Sequence, residues 1–179
     1  MVYLILGAGF EESEAIVPCD LLRRAGVEVR LAGIGGTEIE GSHGVTVRAD
    51  CIAEQTALED AEMLILPGGL RGVASIRACQ PVLDAVRQVA ARGDWVAAIC
   101  AAPTILAQLG ITDGKRATCY PGMESEMGSA VMCGEQTAQD GRIITGQAAG
   151  ASIAFGLKLV EALRGEAAAQ KVAAGIVAR

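Results

Sequence analysis

Histidine occurs once in the 179 residues, at His43, and aromatic side chains make up only 3% of the chain. A single imidazole leaves too few nitrogen ligands for an ordinary mixed cysteine and histidine zinc site, and none of the six cysteines forms a C-x-x-C pair, so a structural metal is not expected. Positive charge is also short. Fifteen Lys and Arg stand against 21 Asp and Glu, a net charge of −6, and the isoelectric point is near 4.8. No basic run compensates locally, which argues against a nucleic-acid binder that tracks phosphates. Long hydrophobic runs are missing too: Val2–Leu6 and Met63–Leu66 are of strand length, far short of the roughly 20 residues needed to cross a bilayer. No basic n-region precedes the first apolar run, so no cleaved signal peptide is expected, and the chain reads as soluble, with a cytoplasmic address and no membrane partner.

What is present is a large apolar fraction. Hydrophobic residues make up 51% and charged residues 20%, with a mean hydropathy of +0.39, enough to fill one core and to exclude disorder over most of the length. A single domain over residues 1–179 follows. With so few aromatics the core must be built from Ala, Val, Leu and Ile, and the 23 glycines imply tight turns and close backbone approaches. A chain this long needs no disulfide staples, so Cys19, Cys51, Cys79, Cys100, Cys119 and Cys133 read as reduced thiols.

The periodicity predicts a buried strand over Val2–Leu6, a tight turn at Gly7-Ala8-Gly9, and a helix over residues 13–25. Acidic residues at its start and Arg23-Arg24 before Gly26 suit the two helix ends. A strand over 27–32 and a small peripheral hairpin within 35–50 come next. Met63–Leu66 reads as a strand ending in Pro67-Gly68-Gly69, residues 81–92 as a helix, Trp95–Ile99 as a strand and 103–109 as a helix. Further strand-like segments lie at 117–120, 131–132 and 143–145, followed by a helix over 151–163 and a helical tail over 166–179. Alternation of this kind predicts an α/β fold, a flavodoxin-like three-layer sandwich with a mostly parallel central sheet.

In open α/β sheets ligands gather at the carboxyl ends of the strands, and three loops meet that rule: 7–14, 66–72 and 99–103. They bring the carboxylates Glu11, Glu12 and Glu14, the unshielded amides of Gly68 and Gly69, and the thiol of Cys100. Cys100 falls at a strand-to-helix turn with the geometry of a nucleophile elbow, although G-x-S-x-G itself is absent. A helix N-terminus there would lower the thiol pKa. The residues alone leave two readings open, an activated thiol or a small buried hydrophobe. Glu14 likewise reads either as an acid that moves protons at the thiol or as a solvated helix-start carboxylate. The Gly68-Gly69 amides, with those after Cys100, form either an oxyanion nest or a plain turn. Gly7-Ala8-Gly9 lacks the third glycine of a dinucleotide fingerprint and places acid where a pyrophosphate would lie. His43 belongs either to the surface or to the pocket of a neighbouring subunit, and Tyr120 either hangs a phenol over the pocket or simply packs.

Taken together, the run from Gly9-Phe10-Glu11-Glu12-Ser13-Glu14 to Ala25-Gly26, then Leu66-Pro67-Gly68-Gly69, then Ala98-Ile99-Cys100-Ala101-Ala102-Pro103 resembles the ThiJ/PfpI superfamily. The nearest branch is that of the parkinsonism-associated protein and its bacterial relatives, and the likeness runs from residue 2 to about residue 165. The resemblance implies that Cys100 is an oxidation-sensitive nucleophile, that Glu14 is a protonated acid bonded to its sulfur, and that Gly68, Gly69 and Ala101 supply backbone donors. Tyr120, Ala102 and His43 are then candidates for the substrate pocket. It implies no cofactor and no metal, small carbonyls or glycated side chains as partners, and a homodimer formed through the first helix with Asp20, Arg23 and Arg24. The activities implied are a glutathione-independent glyoxalase and a deglycase of early glycation adducts, with a redox sensor or chaperone as the alternative. Ala101 stands where the protease-like branch carries histidine, so a Cys-His peptidase would lack its base.

Overall fold

The computed structural model describes residues 1–178. In chain order the elements are β1 (Val2–Leu6), α1 (Glu12–Arg24), β2 (Val29–Gly33), β3 (Glu38–Glu40), β4 (Thr46–Arg48), β5 (Cys51–Ile52), β6 (Met63–Leu66), α2 (Leu70–Ala78) and α3 (Gln80–Ala91). They continue with β7 (Trp95–Ile99), α4 (Pro103–Gln108), β8 (Arg116–Ala117), β9 (Val131–Met132), β10 (Thr137–Asp140), β11 (Ile143–Gly146), α5 (Ser152–Arg164) and α6 (Glu166–Gly175).

Seven strands form one sheet in the order β10-β11-β7-β6-β1-β2-β5, parallel throughout except for the antiparallel edge hairpin β10-β11. The alternation of side chains explains the unbroken apolar runs. Val2, Leu4 and Leu6 of β1 point into one core with Leu21 and Leu22 of α1 and Phe155, Leu159 and Val160 of α5. Ile5 of β1, with Leu64 and Leu66 of β6, points into a second core with Val73 and Ile76 of α2, Val82, Val86 and Val89 of α3, and Ile105 and Leu106 of α4. A sheet covered on both faces has no polar side to alternate with, which is why its central strands read as continuous hydrophobes. The expected flavodoxin-like three-layer sandwich is the observed architecture.

Small residues set the layer spacing. A Cβ on Gly156 of α5 would lie 2.7 Å from Leu21 Cδ1 and 3.1 Å from Pro18 Cα of α1, so the two helices meet at a distance only glycine permits. The expected hairpin is β3-β4, an antiparallel pair outside the main sheet. Three elements went unforeseen: α2, β5 and the edge strand β10. Helix α2 begins directly after Gly69, where a loop was expected; its only buried positions are Gly72, Val73 and Ile76, too few to produce a periodic signal. Strand β5 has only two residues. The strand expected over 117–120 is confined to β8, Arg116–Ala117. No helix among the described residues is long and apolar enough to cross a membrane, and all six cysteines are free.

The sheet order places a topological switch beside β1. From β1 the chain moves outward through β2 and β5, then returns to β6 on the other side. The loops after β1 and β6 therefore diverge and leave a crevice at the strand ends, and β7 brings its own carboxyl end alongside, with Leu66 of β6 in register with Ala98.

Candidate active site

Cys100 follows the last residue of β7 and has φ 68°, the left-handed region. A non-glycine residue held there costs on the order of 1–3 kcal/mol and persists only where its surroundings fix it. They do so here. The Cys100 N–H donates to the Gly146 carbonyl at 2.9 Å, and the Cys100 carbonyl accepts from the Tyr120 N–H at 2.8 Å. One residue on, the Ala101 carbonyl accepts the Thr104 hydroxyl at 2.6 Å, and that hydroxyl accepts from Arg77 at 2.7 Å. The sharp turn expected from the sequence is therefore present and pinned on both sides.

Glu14 lies in the first turns of α1, yet it is fully buried. Its Oε2 accepts the Gly68 N–H at 2.9 Å, and its Oε1 is buried with no partner of ordinary geometry. Beside this carboxyl lies the Cys100 thiol. Gly68 shows how tight the junction is: a Cβ there would lie 2.5 Å from Glu14 Oε2, 2.7 Å from Cys100 Cβ and 3.1 Å from Cys100 Sγ. Gly69, at φ 84°, is pressed against the loop after β1, where a Cβ would meet the Gly9 carbonyl oxygen at 2.5 Å.

The electrostatics depart from the sequence expectation in one respect. A helix N-terminus was expected to pull the thiol pKa down, but burial, reinforced by the neighbouring Glu14 carboxylate, pushes Cys100 up to about 12. The N–H groups of Ala101 and Gly69 donate toward the sulfur and act in the opposite sense without overcoming this. Burial likewise raises Glu14 from its ordinary 4.5 to about 7, against the lowering effects of Cys100 and the Gly68 amide. The two groups titrate as a pair that holds a single proton between about pH 7 and about pH 12. At neutral pH the carboxyl is thus poised to accept the proton that the sulfur must lose.

A cavity of about 490 Å³ opens onto Cys100, with Gly69, Ala101, Tyr120, Glu11 and His43 on its wall. Several expectations are corrected there. Gly68 is not a free oxyanion donor, because its N–H is committed to Glu14; the donors beside the sulfur are Gly69 and Ala101. Ala102 does not line the cavity but is fully buried in the second core. His43 lines the cavity of its own chain, brought there by the hairpin, whose Ser42 N–H donates to the Phe10 carbonyl at 2.8 Å. Tyr120 is on the wall and half-exposed. Sequence reasoning missed Ser42, Leu70, Arg71 and Met123, which complete the lining. Leu70 and Arg71 were hidden with α2. Asp20 pairs with Arg24 at 2.7 Å and Arg23 with Asp50 at 3.0 Å within the chain.

The family model described as DJ-1/PfpI matches residues 1–162. The protein dj-1beta of Drosophila melanogaster is 37% identical over 177 residues, spanning 97% of this chain and 95% of that protein. Its crystal structure superposes with a TM-score of 0.93, covering 99% of this chain and 97% of that one. A deglycase of Pyrococcus abyssi is 36% identical over 128 residues, 71% of this chain and 76% of its own length. A solved structure of oxidized Toxoplasma gondii DJ-1 is 30% identical, with a TM-score of 0.93 over 98% of this chain and 97% of that one.

Proposed function

Because the chain belongs to the DJ-1/PfpI family, we propose that it is an enzyme of small reactive carbonyls, with Cys100 as nucleophile and Glu14 as the group that moves protons. One observation carries this reading: a fully buried carboxyl and a thiol meet across Gly68 at the end of a cavity, with two peptide N–H groups beside the sulfur. With a 2-oxoaldehyde, Sγ adds to the aldehyde carbon while its proton passes to Glu14. The carbonyl oxygen takes the negative charge against the Gly69 and Ala101 amides, and the proton's return to that oxygen gives a thiohemiacetal. Glu14 then takes the hydrogen from C1 as a proton to give an enediolate and delivers it to C2, while the C1 hydroxyl proton passes to the C2 oxygen, leaving a 2-hydroxyacyl thioester. Water cleaves the thioester to the 2-hydroxyacid and restores the thiol. Net, one water is added and the carbonyl carbons exchange oxidation levels, so no external oxidant enters. Hemithioacetals and carbinolamines on glycated side chains present the same carbon to the same sulfur, and the deglycase name of the Pyrococcus relative supports this extension.

The test is consumption of methylglyoxal and of glycated thiol adducts by the purified chain, alongside Cys100→Ala and Glu14→Gln. Both variants should lose the activity while keeping native circular dichroism. Full turnover by Cys100→Ala ends the proposal.

A second reading has its own support. The Gly69 and Ala101 amides are placed to hold the oxygens of an oxidised sulfur, and the Toxoplasma relative was solved in oxidized form. Graded peroxide treatment followed by mass spectrometry separates the two. Selective gain of two oxygens at Cys100, with no carbonyl turnover by the reduced protein, favours a sensor.

We place the protein in the cytoplasm as a homodimer. The charges of α1 are satisfied internally, so the dimer reading rests on apolar surface: Ile16 of α1 is 40% exposed and Val45 of the hairpin 53%. The hairpin that carries Val45 is tied to α1 by the His43 N–H, which donates to Glu12 Oε1 at 2.7 Å, one turn before Ile16. An Ile16→Lys variant should run as a monomer in sedimentation experiments, and a wild-type monomer would dismiss this part of the proposal.

A further inference from the structure

A second group of chemically capable side chains, not used by the Cys100 chemistry, stands at the edge of the same cavity, with Glu11 and His43 on its wall and Glu12 beside them. One oxygen each from Glu11 and Glu12 and one nitrogen of His43 lie within 4.8 Å of one another. His43 Nδ1 is 2.9 Å from Glu12 Oε2 and 3.7 Å from Glu11 Oε2. A tetrahedral ion bound at about 2.0–2.1 Å places its ligand atoms roughly 3.3 Å apart, between these two spacings.

The arrangement of the remaining oxygens distinguishes the group from a surface ion pair. Glu12 Oε1 accepts the main-chain N–H of His43 at 2.7 Å, and Glu11 Oε1 accepts the Ser13 hydroxyl at 3.3 Å. Each carboxylate is thus held by one oxygen and presents the other to the same imidazole nitrogen. The backbone that carries them is fixed as well. The Ser42 hydroxyl donates to the Gly9 carbonyl at 2.7 Å, and the Gly9 N–H donates to the Glu40 carbonyl at 2.7 Å. A side chain at Gly41 would collide with the Glu12 carboxylate. Ligand atoms oriented in advance by their outer hydrogen bonds are what raises metal affinity at a built site. The His43 side chain is 70% exposed in the single chain and also lines the open Cys100 cavity, which gives an ion a path to it.

We propose that Glu11, Glu12 and His43 form a binding site for a divalent cation that favours nitrogen and carboxylate ligands, with Zn²⁺ the best match, at the mouth of the Cys100 cavity. The cation takes the place of a proton: His43 must give up its Nδ1 hydrogen to coordinate. The other polar groups facing this chamber are Ser42, Arg71, Cys100 and Tyr120, and the Arg71 guanidinium opposes the ion. A site of this kind needs one nitrogen and two carboxylate oxygens, so a single histidine suffices.

Isothermal titration of the full chain with ZnCl₂, in a non-coordinating buffer, tests the site without reference to turnover. The expected result is saturable binding of one Zn²⁺ per chain. Affinity should fall by about tenfold or more in His43→Gln and in Glu12→Gln, each checked for native circular dichroism, and persist in Cys100→Ala. Absence of saturable binding, undiminished binding by His43→Gln, or loss of binding in Cys100→Ala, which would assign the ion to the thiol, each overturns the proposal. Because the readout is binding, an inactive enzyme with an intact zinc isotherm rejects the carbonyl chemistry and leaves the cation site standing.

Discussion

Glu14 and Gly68 are 54 residues apart, yet the Gly68 N–H donates to the buried Glu14 Oε2 at 2.9 Å, and this hydrogen bond holds a carboxyl against the Cys100 thiol. The bond stabilises the ionised form of Glu14, and burial opposes it more strongly, so the acid rests near neutrality instead of near 4.5. The site therefore carries an electrostatic cost that the fold must support, and the cost can be measured.

Glu14→Gln should make the protein more stable at pH 8 while abolishing turnover. Between pH 4.5 and about 7 the folded chain keeps a proton that the unfolded chain has lost. Stability from this group is thus fully present below 4.5 and lost as pH rises through 7. A shift of that size corresponds to about 3 kcal/mol. Urea denaturation at pH 5 and pH 8 should show a smaller decline with pH in the variant; an unchanged decline would remove Glu14 as its source.

The pH–rate profile for methylglyoxal should rise through an apparent pKa near 7 and stay flat well into the alkaline range, because the pair is competent when it holds one proton. The position of that proton, on sulfur or on carboxyl, does not alter the profile. A limb near 4.5 would mean that Glu14 behaves as a solvated carboxylate.

Much of this site was legible in the sequence. A strand-sized apolar run ending in Pro67-Gly68-Gly69 and another ending in Cys100 announce parallel strands whose carboxyl ends must lie together, and acidic residues at the start of α1 bring a carboxyl to the same edge. What stayed hidden depends on contacts between distant segments. His43 reaches the cavity because Ser42 bonds to Gly9 and Phe10, a packing choice with no local signature. The direction of the thiol pKa follows from burial, which spacing does not encode. Ala102 looked like pocket from its neighbours, but the tight turn at Cys100 directs it into the core while Ala101 faces the cavity.

Gly68→Ala should damage both stability and turnover. Backbone conformation is not the obstacle, since Gly68 is absent from the left-handed region; space is. The added carbon would fall 2.5 Å from Glu14 Oε2 and 2.7 Å from Cys100 Cβ, so the carboxyl and the elbow must separate. Overpacking of this kind costs about 1–3 kcal/mol, visible as a lower Tm, and turnover should fall by at least about a hundredfold because reacting groups tolerate little displacement. A variant with wild-type turnover would show that the contact between Glu14 and Cys100 is dispensable.

Thr104→Val separates the positioning of the elbow from its chemistry. The Thr104 hydroxyl donates to the Ala101 carbonyl at 2.6 Å and accepts from Arg77 at 2.7 Å, and the residue is 1% exposed. Valine matches its shape and removes both bonds, which leaves a carbonyl and a guanidinium hydrogen less satisfied at a loss of about 1–3 kcal/mol. Arg77 keeps a weaker contact with Glu126 at 3.5 Å, so the cost should fall mainly on the turn itself. No Thr104 atom lines the cavity, so substrate binding has no direct reason to change. The expected signature is a lower kcat with KM nearly unchanged, together with slower modification of Cys100 by iodoacetamide at pH 8. A selective rise in KM would instead mean that Thr104 acts on the cavity wall and not on the strained residue that presents the sulfur.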